Sequence, residues 1–179
     1  MLFRSSQSSG DIDSNIYNYC YIGDGNSHPL SSVTSCAGTN TTGWTLAQWQ
    51  AKFSFVDSLT NEVDWVAIQA FFNKYAFKPS FLQLPVGTAV INKPVVTCGQ
   101  VHIQGAGEKY QTSIKATAAN QDFLRVCLSS DYPTLSPSNY RPTLQINDIS
   151  IDCAVTGGSN CNYAVRYSGR DSKIGRAHV

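Results

Sequence analysis

The sequence predicts a mainly β fold in which short parallel strands wind as a solenoid behind one capping helix. After residue 80, β-type runs of about three to six residues recur at a spacing of about ten, with turn residues between them. This spacing alone allows a sandwich, a barrel or a solenoid, and two further observations favour the solenoid. Neither Asn-Gly nor Asp-Gly separates consecutive runs there, so tight antiparallel hairpins are not indicated. One strong helix precedes all of these runs, and a solenoid needs such a cover over the unpaired edge of its first strands.

The composition is that of a folded domain with many turns. Of the 179 residues, 42% are hydrophobic and 14% are charged, a balance that disfavours a disordered chain. The formal net charge of +1 and the lack of any Lys/Arg run exclude a dedicated nucleic-acid binder. No stretch approaches the roughly 18 apolar residues of a membrane span. We therefore expect no nucleic-acid partner and no membrane partner.

The N-terminal third carries little regular pattern. Residues 1–20 are interpreted as a loose polar arm, and residues 21–45 as a turn-rich segment. The first ten residues lack the apolar run of a signal peptide. We expect either that the protein is not exported by that route or that the natural start lies outside this sequence.

Two helices are predicted before the strands. Residues 44–56 form a short one with weak helical spacing, and residues 61–76 form the strong one. Either Thr60 or Asn61 can cap the strong helix, and Pro79 prevents its continuation. One face of this helix carries the apolar residues Ala67, Ile68, Phe71, Phe72 and Tyr75.

The predicted strands follow in order after this helix. Their ranges are 81–84, 88–91, 101–104, 112–116, 123–128, 144–146, 149–153 and 163–167.

Six cysteines leave two interpretations open. An even count permits disulfides, and the local pairs Cys20 with Cys36 and Cys153 with Cys161 are the first to test. Buried free thiols that pack as small hydrophobes are the alternative. A zinc site is not indicated, because no C-x-x-C pair occurs and the three histidines are scattered.

The last seven residues, 173–179, resemble the translation of a sequencing adapter joined to the reading frame. They do not continue the apolar alternation of the preceding strands. We expect the natural sequence to end near Ser172 and the chain to be a fragment of a longer protein. An ordinary polar C-terminus is the alternative.

Four segments in order resemble a known family. Residues 64–70 (DWVAIQA) resemble the D-x-x-A-I-Q-A helix that opens β-helices of the pectate-lyase superfamily. Residues 84–91 resemble its L-P-x-G-x-Y-x-I segment, and residues 101–107 with Ile114 resemble its v-x-I-x-G-x-G…I segment. Residues 144–152 resemble a later rung. In this sequence Val63 stands where the family often has a second acidic residue, and Ala89 stands where it has an aromatic one.

The resemblance implies a right-handed single-stranded parallel β-helix with an N-terminal capping α-helix, truncated at its C-terminal end. Gly87, Gly105 and Gly107 would allow sharp turns between sheets. An apolar column would include the inward residues Ile91, Ile103, Ile114 and Ile151. We expect four parts: arm and turn-rich segment over 1–56, capping helix over 57–79, first coils over 80–172, and non-native tail over 173–179.

Members of this superfamily act on acidic polysaccharides as hydrolases, lyases or epimerases, or serve as phage tailspikes and adhesins. Their active groove typically lies along one sheet in the middle coils. The hydrolases need a carboxylate pair, and the lyases need a base, often with Ca²⁺. The weak catalytic candidates here are Asp148 and Asp152. Four residues apart on one extended strand, they would share a face at about 13 Å, which is too far for either hydrolytic geometry.

Other polar residues are given structural interpretations first. Asp24 lies in a Gly-Asp-Gly turn and is a weaker candidate for Ca²⁺. His28 lies in a loop, and His102 lies within a β run, so both are interpreted as structural or surface residues. Arg166 is interpreted as a solvated strand residue, with contact to an anionic sugar as the alternative. Asp152 has a second interpretation as a strand end that binds turn amides.

The function expected from the resemblance is that of a capped N-terminal β-helix segment of an extracellular carbohydrate-active protein. Its parent would be a polysaccharide hydrolase or lyase, the catalytic coils would be missing, and the segment itself would be inactive. The alternatives are a phage or prophage tailspike that binds surface polysaccharide as a homotrimer, and a non-catalytic adhesin. We expect an acidic polysaccharide as partner and no cofactor, with Ca²⁺ left open for the full-length parent.

Overall fold

The computed structural model describes residues 15–106, 111–118, 122–133, 142–152, 164–167, 171–174 and 177–178. Two 3₁₀ helices, Ile16–Tyr19 and Leu30–Ser32, and two α-helices lie in the N-terminal part. The α-helices are α1 (Leu46–Lys52) and α2 (Val63–Lys74). In this part of the chain a small antiparallel pair joins β1 (Ser35–Cys36) to β2 (Thr39–Asn40).

Eleven further strands follow α2 within the described residues. They are β3 (Ser80–Leu84), β4 (Gly87–Ile91), β5 (Val95–Thr97), β6 (Gln100–Gly105), β7 (Thr112–Ala116), β8 (Leu124–Val126), β9 (Thr143–Asn147), β10 (Ile149–Asp152), β11 (Val165–Tyr167), β12 (Asp171–Ile174) and β13 (Ala177–His178). The prediction missed β5, because Pro94 and Gly99 on either side of it favour turns, and it also missed β12 and β13.

These strands form three sheets, and each sheet takes every third strand of the chain. The first sheet has the order β12-β9-β6-β3, the second β13-β10-β7-β4 and the third β11-β8-β5. Every pairing in the three sheets is parallel. The predicted mainly β chain with parallel strands and few helices is therefore confirmed.

Alternate residues of β3 and of β5 to β10 line the core, together with the last three residues of β4. All four isoleucines expected in one apolar column are buried, but they belong to different columns. In the first sheet, Ile103 is in register with Leu82 and Ile146. In the second sheet, Ile114 is in register with Ile151. Ile91 also lies in the second sheet but is in register with Ala116. The single column was wrong because three sheets each contribute their own stack.

Helix α2 is shorter than predicted and is buried on all sides. It covers Val63–Lys74 instead of 61–76, and all residues from Val63 to Phe72 are buried. Neither Thr60 nor Asn61 caps it; the N-cap is Glu62, which makes no side-chain capping bond. Asn61 instead accepts hydrogen bonds from the backbone of the preceding turn, at 3.3 Å and 3.2 Å.

The N-terminal segment packs over the outer side of α2. Tyr19 makes an edge-to-face contact with Phe71, and Phe55 makes one with Trp65, at centroid distances of 6.3 Å and 5.6 Å. The expected loose arm is therefore wrong for residues 15–20, where Ile16 is buried; residues 1–14 lie outside the described residues. The short helix predicted at 44–56 is confirmed as α1, and it begins with a capping box between Thr45 and Gln48.

Asp64 joins three parts of the chain through its buried carboxylate. The backbone N–H groups of Ile22 and Gly23 donate to it at 2.8 Å and 3.1 Å, and that of Val90 in β4 donates at 2.9 Å. Burial raises the pKa of Asp64 above its ordinary value, and the three N–H donors oppose that rise. Asp64, the acidic residue of the D-x-x-A-I-Q-A segment, thus binds a backbone N–H group on the edge strand β4.

Gln69 pairs the edge of β5 in the same way. Its Oε1 accepts from the N–H of Val96, and its Nε2 donates to the carbonyl of Val96, both at 2.8 Å. One side-chain amide thereby replaces the neighbouring strand that β5 lacks on this side. On β4, the N–H of Gly25 donates to the carbonyl of Thr88, and the N–H of Thr88 donates to the carbonyl of Gly23. These two bonds pair a further part of the β4 edge.

The tight approach of Gly23 to β4 requires a glycine at position 87. Gly87 has φ +136°, and a Cβ there would lie 2.2 Å from the carbonyl oxygen of Gly23. Gly105, at the end of β6, is equally restricted, since its Cβ would lie 2.0 Å from the carbonyl oxygen of Asp148. The predicted lack of room for a side chain is confirmed at both positions, and Gly107 lies outside the described residues.

Two disulfides occur in the described residues. The predicted pair Cys20–Cys36 is confirmed, with a Cα–Cα distance of 4.6 Å. The pair Cys98–Cys127 was not predicted; it follows from the third sheet, where the last residues of β5 and β8 are in register and the next residues therefore meet. Cys153 and Cys161 lie outside the described residues, so their pairing stays a prediction.

The final segment takes part in strand pairing. β12 pairs with β9, and β13 pairs with β10, so that residues from 173–179 extend the first and second sheets. Strand pairing does not reveal the origin of a sequence. The adapter-derived tail therefore stays a prediction.

Candidate functional site

On β3, β6 and β9, the outward face of the first sheet carries a concentrated set of polar side chains together with one aromatic ring. Strands β3, β6 and β9 alternate between buried and accessible positions, so every second side chain points away from the core. We call the outward set on these three strands the ladder face, and it consists of Phe81, Gln83, Gln100, His102, Gln104, Thr143, Gln145 and Asn147.

Parallel register arranges most of the ladder face in two rows across the strands. One row contains Phe81, His102 and Gln145. The other row contains Gln83 followed by Gln104 and Asn147. Neighbouring strands lie about 4.8 Å apart and alternate residues about 7 Å apart, so the two rows cover roughly 7 Å by 10 Å.

Contacts within the ladder face fix several of its side chains. The rings of Phe81 and His102 meet edge to face with centroids 4.7 Å apart. Nδ2 of Asn147 lies 3.1 Å from Nε2 of His102, within hydrogen-bond distance. His102 is thus a half-buried strand residue that orients its neighbours, in agreement with its structural interpretation.

Asp148 lies beside the ladder face, but not as the sequence predicted. It has φ +53° and separates β9 from β10, so Asp148 and Asp152 are not on one extended strand. Asp residues tolerate this left-handed conformation, which turns the chain from the first sheet to the second. The Oδ2 atom of Asp148 accepts from Nε2 of Gln104 at 2.8 Å.

The premise that the two carboxylates share a strand face is therefore wrong. Asp152 is the exposed last residue of β10 and is in register with Lys115 of β7. A catalytic role for either carboxylate stays a prediction.

A second polar group lies on the outward face of the third sheet. Arg125 and Arg166 are in register on β8 and β11, and both contact the buried carboxylate of Asp122, at 2.8 Å and 3.4 Å. Arg125 also contacts Asp131 at 3.4 Å. The hydrogen bond with Asp122 raises the pKa of Arg125. Two carboxylates thus compensate two guanidinium groups, although Arg166 remains exposed.

Asp24 forms a local turn with its neighbours. Its carboxylate accepts from the N–H of Asn26 at 2.9 Å and lies 2.9 Å from Nε2 of His28. These two interactions, the backbone one first, lower the pKa of Asp24 to about 2. Among the residues that the structure describes, no group of three or more His, Cys, Asp or Glu side chains is placed to hold a metal ion.

The sequence pointed to His102 and to the adjacent Asp148, but the other members of the ladder face were missed. The signal was present in the runs Phe81-Leu82-Gln83-Leu84 and Val101-His102-Ile103-Gln104, where amides or aromatic rings alternate with aliphatic residues. Register between the runs is needed to show that these side chains form rows.

In the described part of the chain, neither α-helix has the length and apolar composition that a membrane crossing requires. Comparisons with family models, with curated proteins and with solved structures found no match for this chain. The resemblance to the pectate-lyase superfamily therefore stays a prediction.

Proposed function

We propose that this chain is the capped N-terminal segment of a right-handed parallel β-helix, in a protein of the pectate-lyase superfamily that binds or modifies polysaccharide. The pairing of each strand with the third strand along the chain supports this winding. The roles of Asp64 and Gln69 support it too, because the D-x-x-A-I-Q-A helix supplies edge partners to β4 and β5.

The ladder face is the observation that carries the proposed function. Side-chain amides both donate and accept hydrogen bonds, as sugar hydroxyl groups do. An exposed aromatic ring beside them offers an apolar surface of the kind that orients a ligand in a binding site. Rows across successive parallel strands repeat this chemistry along the sheet, which suits a polymer of repeating units.

Catalysis by the parent protein is proposed to reside outside this segment. A glycoside hydrolase needs two carboxyl groups on either side of the scissile bond, and a lyase needs a base, often with Ca²⁺. Asp148 binds Gln104 at the edge of the ladder face. This contact suits a residue that positions a binding side chain. We propose an extracellular location, supported by the two disulfides.

The test is a binding survey of the purified 179-residue chain. Affinity gel electrophoresis against a panel of neutral and acidic polysaccharides, with serum albumin as reference, measures whether migration is retarded. We expect retardation by at least one polymer. Migration that no polymer in the panel changes would refute the proposed function.

A further inference from the structure

We propose that the ladder face binds a neutral glycan chain, with Phe81 as the ring on which one sugar stacks. This inference rests on the proposed function and deepens it, since it names the class of polysaccharide. The sequence resemblance favours an acidic polymer; the side chains on this face favour an uncharged one.

Charge on the ladder face is the first argument. None of the outward residues of β3, β6 and β9 is a lysine or an arginine. On β12, the fourth strand of this sheet, Lys173 is in register with Gln145 and Asp171 is in register with Thr143, so one residue of each charge borders the ladder face. The nearest carboxylate, that of Asp148, accepts a hydrogen bond from Gln104 and would repel an acidic sugar unit placed there. An acidic polymer would lose water from its carboxylates on these strands without gaining a cationic partner.

The described cationic side chains of the other two sheets lie away from the ladder face or are paired with carboxylates. Lys115 projects from the second sheet, and Arg125 is bound to both Asp122 and Asp131 on the third. An acidic chain that followed the first sheet would not contact them. The charge distribution therefore complements an uncharged ligand on the ladder face.

Hydrogen-bonding capacity is the second argument. Gln83 and Gln145 are exposed, and within the described residues neither side chain makes a hydrogen bond, so their amides remain available. They lie at opposite ends of the two rows, on β3 and β9. A glycan lying across the three strands could bind both amides through its hydroxyl groups.

The aromatic ring is the third argument. Phe81 is 37% exposed, although it is a large apolar residue in the middle of a strand. His102 contacts it edge to face and holds it in place. A preorganised, partly exposed ring loses little entropy when the apolar face of a sugar packs on it.

The experiment measures affinity for a β-glucan and a galactomannan as neutral polymers, and for polygalacturonate and alginate as acidic ones. Binding is compared between the full chain and the variants Phe81→Ala and Gln145→Ala. The matched controls are Tyr17→Ala, which removes an exposed ring outside the ladder face, and Gln111→Ala, which removes an exposed amide outside it. Circular dichroism checks that each variant is folded.

We expect a neutral polymer to bind, and Phe81→Ala to weaken binding by between about two- and tenfold, the range of one aromatic contact. Gln145→Ala should weaken it as well, and both controls should leave it unchanged. Binding of acidic polymers alone, or equal binding by all variants, would overturn the inference while the proposed function stands. Failure to bind any polymer would overturn the proposed function itself.

Discussion

Replacement of Gln69 by leucine tests the pairing of the β5 edge by a side chain. Leucine keeps a similar buried volume on α2 but cannot bind the N–H or the carbonyl of Val96, each now held at 2.8 Å. An unsatisfied buried donor or acceptor costs about 1–3 kcal/mol. Val96 is half-buried, so the lower end applies to each group, and the total loss should be about 2–3 kcal/mol.

Urea unfolding monitored by circular dichroism measures this loss. With a slope of about 2 kcal/mol per molar urea, the midpoint should fall by roughly 1 M or more. The matched control is Gln145→Leu, which makes the same chemical change at an exposed position and should stay within about 0.5 kcal/mol of the native chain. If Gln69→Leu unfolds at the same urea concentration as this control, the edge-pairing role of Gln69 is wrong.

Three further predictions concern backbone fit, cross-linking and pH. Gly87→Ala should destabilise the chain far more than Gly38→Ala in the same urea assay. A Cβ at Gly87 would overlap a carbonyl oxygen, whereas a Cβ at Gly38 would meet no atom within 4 Å. Equal losses of stability would contradict the close approach of Gly23 to Gly87. Removal of the Cys98–Cys127 disulfide by paired Cys→Ser changes should cost about 4 kcal/mol for a loop of 29 residues, and an unchanged melting temperature would exclude that bond. The carboxyl of Asp24 should titrate by NMR at a pKa of about 2, and His28→Ala should raise that pKa. The stabilisation from this carboxylate is present above the unfolded pKa near 3.8 and is lost as the pH falls towards 2. A measured pKa at or above 3.8 would refute the contacts with Asn26 and His28.

The main elements could be predicted because local pattern determines them. Alternation in residues 81–84 and 101–104 predicts strands with one buried side, and burial follows that alternation in β3 and β6. The strong helix was also predicted, although not its complete burial. An apolar stripe marks one packed side of a helix, whereas the cover formed by Tyr19 and Phe55 on the outer side depends on distant aromatic residues.

The candidate site depends on information that no single segment contains. Gln83, Gln104 and Asn147 form a row only because β3, β6 and β9 pair in parallel register. Two other strands of the chain lie between each of these strands and the next. The pairing of Cys98 with Cys127 could not be predicted for the same reason, because it depends on the register that puts Thr97 opposite Val126. Asp148 was misplaced because a left-handed residue interrupts what resembles one continuous β run.

The winding of the strands is the claim on which the other proposals depend. NMR measurement of contacts between backbone protons of adjacent strands tests it most directly. We predict cross-strand contacts that connect Ala89 with Ile114 and Ile114 with Ile151, in parallel register. Contacts that instead join consecutive strands such as β6 and β7 in antiparallel register would contradict the proposed β-helix and remove the rows of the ladder face.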